Sequence, residues 1–253
     1  MHILISNDDG YDAPGLVALV QALKEQYHKV TVVAPRRNMS GCGMSMSLRK
    51  TIDVEELVDN VFIVDGTPVD CVYLGLQSLI AEPVDLVISG INNGANLADD
   101  VFYSGTFAAA MEARHVYLPS IALSVASHDV QHYDTAAYIA TQLANEMPRL
   151  EYKSLLSVLN VNVPDVPMAQ LRGFKSTVLG ERLTHAAPVE LTVSDSSVRQ
   201  FTLGLAGDFD RRKRKIMADF EAVEEGFVSV TPLSSKLENR AYINDTQNWL
   251  DSL

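Results

Sequence analysis

His2-Ile3-Leu4-Ile5-Ser6-Asn7-Asp8-Asp9-Gly10 opens the chain with a short apolar run that stops at two adjacent carboxylates. The run has the length and content of a buried strand. In an α/β sheet, ligands bind beyond the carboxyl ends of the strands, where Asp8 and Asp9 stand. Two neighbouring carboxylates repel each other and gain nothing from packing. A hard divalent cation would relieve that repulsion. Asp-Gly is also a frequent turn dipeptide. On these four polar residues alone, turn and metal site stand level.

The following 120 or so residues alternate strand and helix signals. Leu16–Gln26 reads as a helix with Leu16, Leu19, Val20 and Leu23 on one face and Pro14 near its start. Val30–Ala34 reads as a second strand, followed by a Met-, Ser- and Gly-rich loop over 35–46. Leu48–Val54 and Val61–Val64 read as strands, possible partners in a hairpin. Thr67-Pro68-Val69-Asp70 combines an N-cap, a first-turn proline and the acidic member of a capping box, predicting a helix to about Ile80. Asp85–Ser89, Ser120–Val125 and Leu155–Val163 are expected strands; Thr106–His115 and Tyr138–Met147 are expected helices. This alternation predicts a Rossmann-like, mostly parallel sheet flanked by helices. After Pro164 the apolar stretches shorten, with strands expected at Val189–Val193 and Phe227–Pro232 and a helix at Lys236–Leu250. The expected organisation is a core over 1–165 and a strand-rich extension with a C-terminal helix over 166–253. Trp249 and Leu250 are expected to dock on this subunit or another.

At 253 residues the chain has room for a large core. Its net charge of −12 disfavours duplex nucleic acid and anionic membranes as partners. A small anionic ligand stays compatible, because a metal or helix terminus can reverse the field inside a pocket. Cys42 and Cys71 form no CxxC motif, which disfavours a zinc site or disulfide framework. With no signal-peptide pattern and no run of 18 apolar residues, the cytoplasm is the default expectation.

Small polar residues crowd three strand ends: Asn7–Gly10; Asn38-Met39-Ser40-Gly41; and Ser89–Asn96 with Asp99–Thr106. In a parallel sheet these loops share one edge and can converge. Asp8, Asp9, the Ser40 hydroxyl and the Asn92 amide carbonyl form an oxygen-rich set suited to Mg²⁺ or Mn²⁺. Ser104-Gly105-Thr106 opens a helix whose free amides suit an anion, and Asn96 can add a hydrogen bond. A metal beside an anion-binding helix terminus points to phosphoryl chemistry.

The stretches ILISNDDGYDAPG, VVAPRRNMSG, DGTPVDCVYLGL, DLVISGINNGANLADDVFYSGTFAAAMEA, LNVNVP and VSVTPL together resemble the SurE family of stationary-phase survival proteins, metal-dependent 5′/3′-nucleotidases. The resemblance spans nearly the whole chain. It implies a Rossmann-like core and dimers or tetramers. It also implies one divalent ion per subunit on Asp8, Asp9, Ser40 and Asn92, with phosphate contacts at Asn96, Ser104, Gly105 and Thr106. Asp8 and Asp9 are the expected catalytic residues. The chain departs from the family at Ala113, where glycine is common, and at Cys42-Gly43-Met44. Over 180–220 it has Ser194–Ser197 and Gln200–Gly204 in place of an Asp-x-Arg-Gly stretch and a Tyr-Trp strand. That divergence bears on substrate preference and assembly more than on chemistry.

Water is expected to attack phosphorus directly. An aspartyl-phosphate route usually needs Asp-x-Asp, and Gly10 occupies the second position. Two competing readings are weaker. A non-catalytic binding protein on this fold would be expected to have lost a ligand. A nicotinamide oxidoreductase would need GxGxxG after the first strand. His128 and His132 read as a solvated loop. The basic run Arg211–Lys215 reads as a solvated loop or as an arm that attracts polyanions. Tyr103 is a candidate for stacking on a base or for packing beside the turn.

Overall fold

The computed structural model describes residues 1–151, 158–184, 186–191, 199–204 and 207–253. Thr192 and Val193, Ser194–Ser197 and the first residues of the expected strand Leu155–Val163 lie outside the described residues.

Among the described residues, nine strands form one sheet. They are β1 (His2–Ser6), β2 (Lys29–Pro35), β3 (Val54–Val58), β4 (Val61–Val64), β5 (Leu86–Asn93), β6 (Ser120–Val125), β7 (Val158–Val163), β8 (Phe174–Ser176) and β11 (Val228–Leu233), in spatial order β3-β4-β2-β1-β5-β6-β7-β11-β8. The six strands from β4 to β7 run parallel. Each of β1, β6 and β7 is buried along its whole length, which explains the mostly apolar stretches that mark them. Separately, the exposed strands β9 (Val189–Leu191) and β10 (Gln200–Thr202) pair antiparallel.

Helices cover both faces. α1 (Pro14–Glu25) packs with α4 (Tyr133–Glu146) on one side. α2 (Pro68–Leu74) packs with α3 (Gly105–Glu112) on the other. A Cβ at Gly15 would stand 2.2 Å from the Ile91 carbonyl oxygen, so glycine lets α1 settle on β5. The predicted capping box on α2 is present: Thr67 Oγ1 accepts from the Asp70 amide (3.1 Å) and Asp70 Oδ2 accepts from the Thr67 amide (2.9 Å). The same two residues hold the loop before them, through Ser47 N–H to Asp70 Oδ1 (2.9 Å) and Thr67 Oγ1 to the Ser45 carbonyl (2.8 Å).

Several element boundaries differ from expectation, and three have a clear cause. The strand expected at Leu48–Val54 lies instead at Val54–Val58. Asp59-Asn60 forms the hairpin turn, with Asn60 at φ 65°, and sets Val58 opposite Val61. β3 is an exposed edge strand, so its acidic residues carry no burial signal. α4 starts at Tyr133, five residues early, because Thr135, Ala136 and Ala137 are buried and Asp165 accepts from the Gln131 and His132 amides just before it. The C-terminal helix α6 covers only Ile243–Leu250, after a 3₁₀ turn at Arg240–Tyr242. Before it, Leu237 is 89% exposed and offers no buried face to a helix. Trp249 and Leu250 are 60% and 46% exposed within this chain. α5 (Asp219–Glu224) completes the fold and packs on β11. Among the described residues no helix is long and apolar enough to cross a membrane. Both cysteines are free.

Candidate active site

After β1 the chain moves to β2 on one side, and later returns to β5 on the other. The crevice between the carboxyl ends of β1 and β5 is therefore a topological switch point, the place where such sheets bind ligands. All three polar loops meet there. A cleft of about 730 Å³ is lined by Asp8, Ser40, Asn92, Asn96 and Ser104, together with Tyr103, His128, Arg182, Phe209 and Phe220. That volume suits a ligand of nucleotide size.

Asp8 lies at the floor, 4% exposed. Its Oδ1 accepts a short bond from the Thr106 hydroxyl (2.5 Å). Burial pushes its carboxyl up to about 6; the Thr106 hydroxyl opposes this and the Asp9 charge adds to it. α3 abuts it so closely that a Cβ at Gly105 would lie 2.7 Å from Asp8 Cβ and 3.0 Å from Cys42 Sγ. Glycine here is a condition for bringing the helix terminus against the carboxylate. Asp9 is half-buried and faces the other way, accepting from Asn38 Nδ2 (3.3 Å) and the Asn93 amide (3.2 Å). Burial raises its carboxyl as well, against the Asn93 bond. The Cys42 thiol beside Asp8 is pushed up by burial and by the Asp8 charge.

Asn92 donates its amide nitrogen to the Gly94 carbonyl at 2.6 Å, which leaves the carbonyl oxygen as its free acceptor. Ser40 is exposed at the rim, its amide held by Asn38 Oδ1 (2.8 Å). Two carboxylates under desolvation, an amide oxygen and a hydroxyl form a hard oxygen set, and it fits a divalent cation. Among the described residues no three His, Cys, Asp or Glu side chains gather at one point, so the set rests on two carboxylates with neutral oxygens completing it.

The four expected phosphate contacts divide. Asn96 and Ser104 line the cleft. Ser104 also caps α3, accepting from the Phe107 amide (3.0 Å). Thr106 is fully buried and gives its hydroxyl to Asp8, while Gly105 backs the same carboxylate.

Asn96 is held by a buried polar clamp absent from the sequence reading. Asn162 Oδ1 accepts from the Asn96 amide (2.8 Å). Asn160 and Asn162 both donate to its carbonyl (2.9 and 3.0 Å), and its own Nδ2 donates to Ser124 Oγ (2.8 Å). The signal was available: asparagines alternating inside the apolar strand Leu159–Val163 must find partners. Also missed were Asp219, Arg182, Phe209 and Phe220. Asp219 is fully buried and accepts from the amides of Ala98 (2.8 Å), Gly180 (2.9 Å) and Phe220 (2.8 Å). Arg182 pairs with Asp100 on the Asp99–Thr106 loop. Phe209 and Phe220 stack in parallel with centroids 4.3 Å apart. No periodicity joins these residues, because they come from segments far apart in sequence. His128 stands at the cleft on an irregular loop, as read. The basic run is largely paired: Arg211 with Glu224, Arg212 with Glu181 and Asp210, and Arg214 with the Asp210 carbonyl.

Comparison with known proteins gives one answer. The family model "Survival protein SurE" matches residues 3–186. The chain is 44% identical over 253 residues to "5'-nucleotidase SurE" of Methylococcus capsulatus, covering 99% of this chain and 98% of that one. It is 44% identical over 252 residues to "5'/3'-nucleotidase SurE" of Photorhabdus laumondii, covering 99% and 96%. The crystal structure of the SurE protein from Aquifex aeolicus superposes with a TM-score of 0.85 at 33% identity, covering 99% of this chain and all of that one. With matches to the family model, to full-length relatives and to a solved structure, the chain belongs to the SurE survival-protein family.

Proposed function

We propose that this chain is a metal-dependent phosphomonoesterase that releases phosphate from nucleoside 5′- and 3′-monophosphates. The observation that carries the reading is the desolvated Asp8 at the switch point, next to Asp9 and against the start of α3, on a cleft of nucleotide size that Ser40 and Asn92 also line. The nucleotidase names of the full-length relatives support it.

Asp8, Asp9, Ser40 and Asn92 would hold one divalent ion, Mg²⁺ or Mn²⁺, which when bound supplies positive charge and Lewis-acid polarisation at a phosphoryl oxygen. Thr106 fixes the Asp8 carboxylate through its hydroxyl, and Gly105 sets the helix terminus behind it. Asn96 and Ser104 orient the phosphate, Asn96 from a backbone locked by Asn160 and Asn162. Water attacks phosphorus in line. Asp9, whose Oδ1 accepts a 3.3 Å bond from Asn38, would take the proton of that water. The net charge of −12 favours small nucleotides over duplex nucleic acid.

The test is phosphate release from a panel of 5′- and 3′-nucleoside monophosphates with Mn²⁺, Mg²⁺ or EDTA. Metal-dependent release that EDTA abolishes is expected. No release with either metal, from folded protein, would sink the reading.

The reading includes a homodimer or homotetramer, because α6 and the residues before it leave Leu237, Tyr242, Ile243 and Trp249 more than half exposed. Light scattering should give two or four times 27.7 kDa; a monomer at micromolar concentration would contradict this.

A further inference from the structure

Arg182 is an unusual arginine for a phosphate-processing cleft. Its side chain is only 11% exposed, yet it lines the cavity. Three of its five N–H donors are already engaged. Nε donates to Asp100 Oδ1 (2.8 Å), Nη2 to Asp100 Oδ2 (2.5 Å) and Nη1 to the Gly207 carbonyl (2.5 Å). Asp100 cancels its charge in a bidentate pair. An arginine so committed along its edge is a poor clamp for a phosphate. Its plane, by contrast, is fixed. One face lies on the Phe209 ring, with Cζ 4.3 Å from the centroid, and Phe209 in turn stacks on Phe220. Phe209 covers one face, so a planar ligand stacking on Arg182 from the cleft must use the other.

The cleft is also chemically divided. Asp8, Ser40, Asn92 and Ser104 give one part oxygen chemistry, while Leu97, Phe209, Phe220 and Val223 give another an apolar wall. Planar guanidinium groups stack on nucleobases, and a face braced beforehand loses little entropy on doing so.

We infer that Arg182 is the platform on which the nucleobase of the substrate stacks, so that it sets the preference for nucleotides over base-free phosphomonoesters. This rests on the nucleotidase reading above and names the part of that site that recognises the leaving nucleoside. Phe209 and Asp100 are the residues that hold the platform flat.

The experiment uses the full chain with Mn²⁺ and compares AMP with ribose 5-phosphate, which carries the same 5′-phosphate without a base. Stacking of one base is expected to give AMP an advantage of about tenfold or more in kcat/KM. In Arg182→Lys, which keeps the charge and loses the plane, that ratio should fall toward one through KM. Arg182 also braces Asp100 and Gly207, so a second measurement needs no variant. Adenosine should inhibit wild-type hydrolysis of ribose 5-phosphate at least about tenfold better than ribose does. A wild-type ratio near one, adenosine no better than ribose, or a ratio unchanged in a folded Arg182→Lys protein would each overturn the inference. Release from neither substrate defeats the nucleotidase reading itself, and this inference with it.

Discussion

Asp8→Asn is expected to lose phosphate release by on the order of 10³-fold or more and, in EDTA at pH 8, to be more stable than the wild type. The two effects have one cause. Asp8 is 4% exposed, and burial raises its carboxyl to about 6 from an ordinary value of 3.8. A raised carboxyl means that the folded state holds its proton more tightly than the unfolded state does. The stability linked to this group is therefore full below about pH 4 and is lost as the pH rises through about 6. The difference of roughly two pH units corresponds to about 3 kcal/mol in the metal-free protein at neutral pH. Asparagine has nearly the same shape, can still accept from Thr106, and carries no charge to bury. Urea denaturation of both proteins in EDTA from pH 4 to pH 8 measures this. The gap in favour of Asn should open as the pH rises. A constant gap, or a variant that retains activity, contradicts the assignment.

Asp219→Ala is expected to cost about 3–5 kcal/mol of stability. Asp219 touches no part of the polar floor, but its fully buried carboxylate accepts from three backbone amides: Ala98, Gly180 and Phe220. Those amides belong to the loop before Asp99, the segment before Arg182 and the first turn of α5. Alanine would leave three donors buried without partners, and this outweighs the relief of removing a charge whose carboxyl burial has raised. The cleft wall at Leu97, Arg182 and Phe220 should loosen together, raising KM as well as lowering the urea midpoint. Asp219→Asn, which keeps one acceptor oxygen, should lose less. A loss under 1 kcal/mol in the alanine variant would show that these amides find other partners.

What could be read in the sequence follows from where burial leaves a local mark. β1, β6 and β7 are buried throughout and read directly as apolar runs. The α2 cap was legible because Thr67 and Asp70 act on each other across three residues. β3 was displaced by six residues because an exposed edge strand has no inward face to reveal it. α6 came out short because its apolar residues do not pack within this chain. At the site, Asp8, Asp9, Ser40 and Asn92 stood out because they lie at or just beyond the carboxyl ends of strands that the parallel order must bring to one edge. Arg182, Phe209 and Asp219 stayed hidden: each acts only through partners scores of residues away, on segments with no period. The sequence reading also left the second task of α3 unseen. Thr106 was expected at the phosphate, yet its hydroxyl has a partner in Asp8.

The most direct measurement is a crystal structure of this chain grown with Mn²⁺ and inorganic phosphate, with anomalous data collected at the manganese edge. The account predicts one anomalous peak per chain among Asp8, Asp9, Ser40 and Asn92, and a phosphate beside it within reach of Asn96 and Ser104. A peak at any other group of side chains, or phosphate bound with no metal at Asp8 and Asp9 in crystals of active protein, would contradict it.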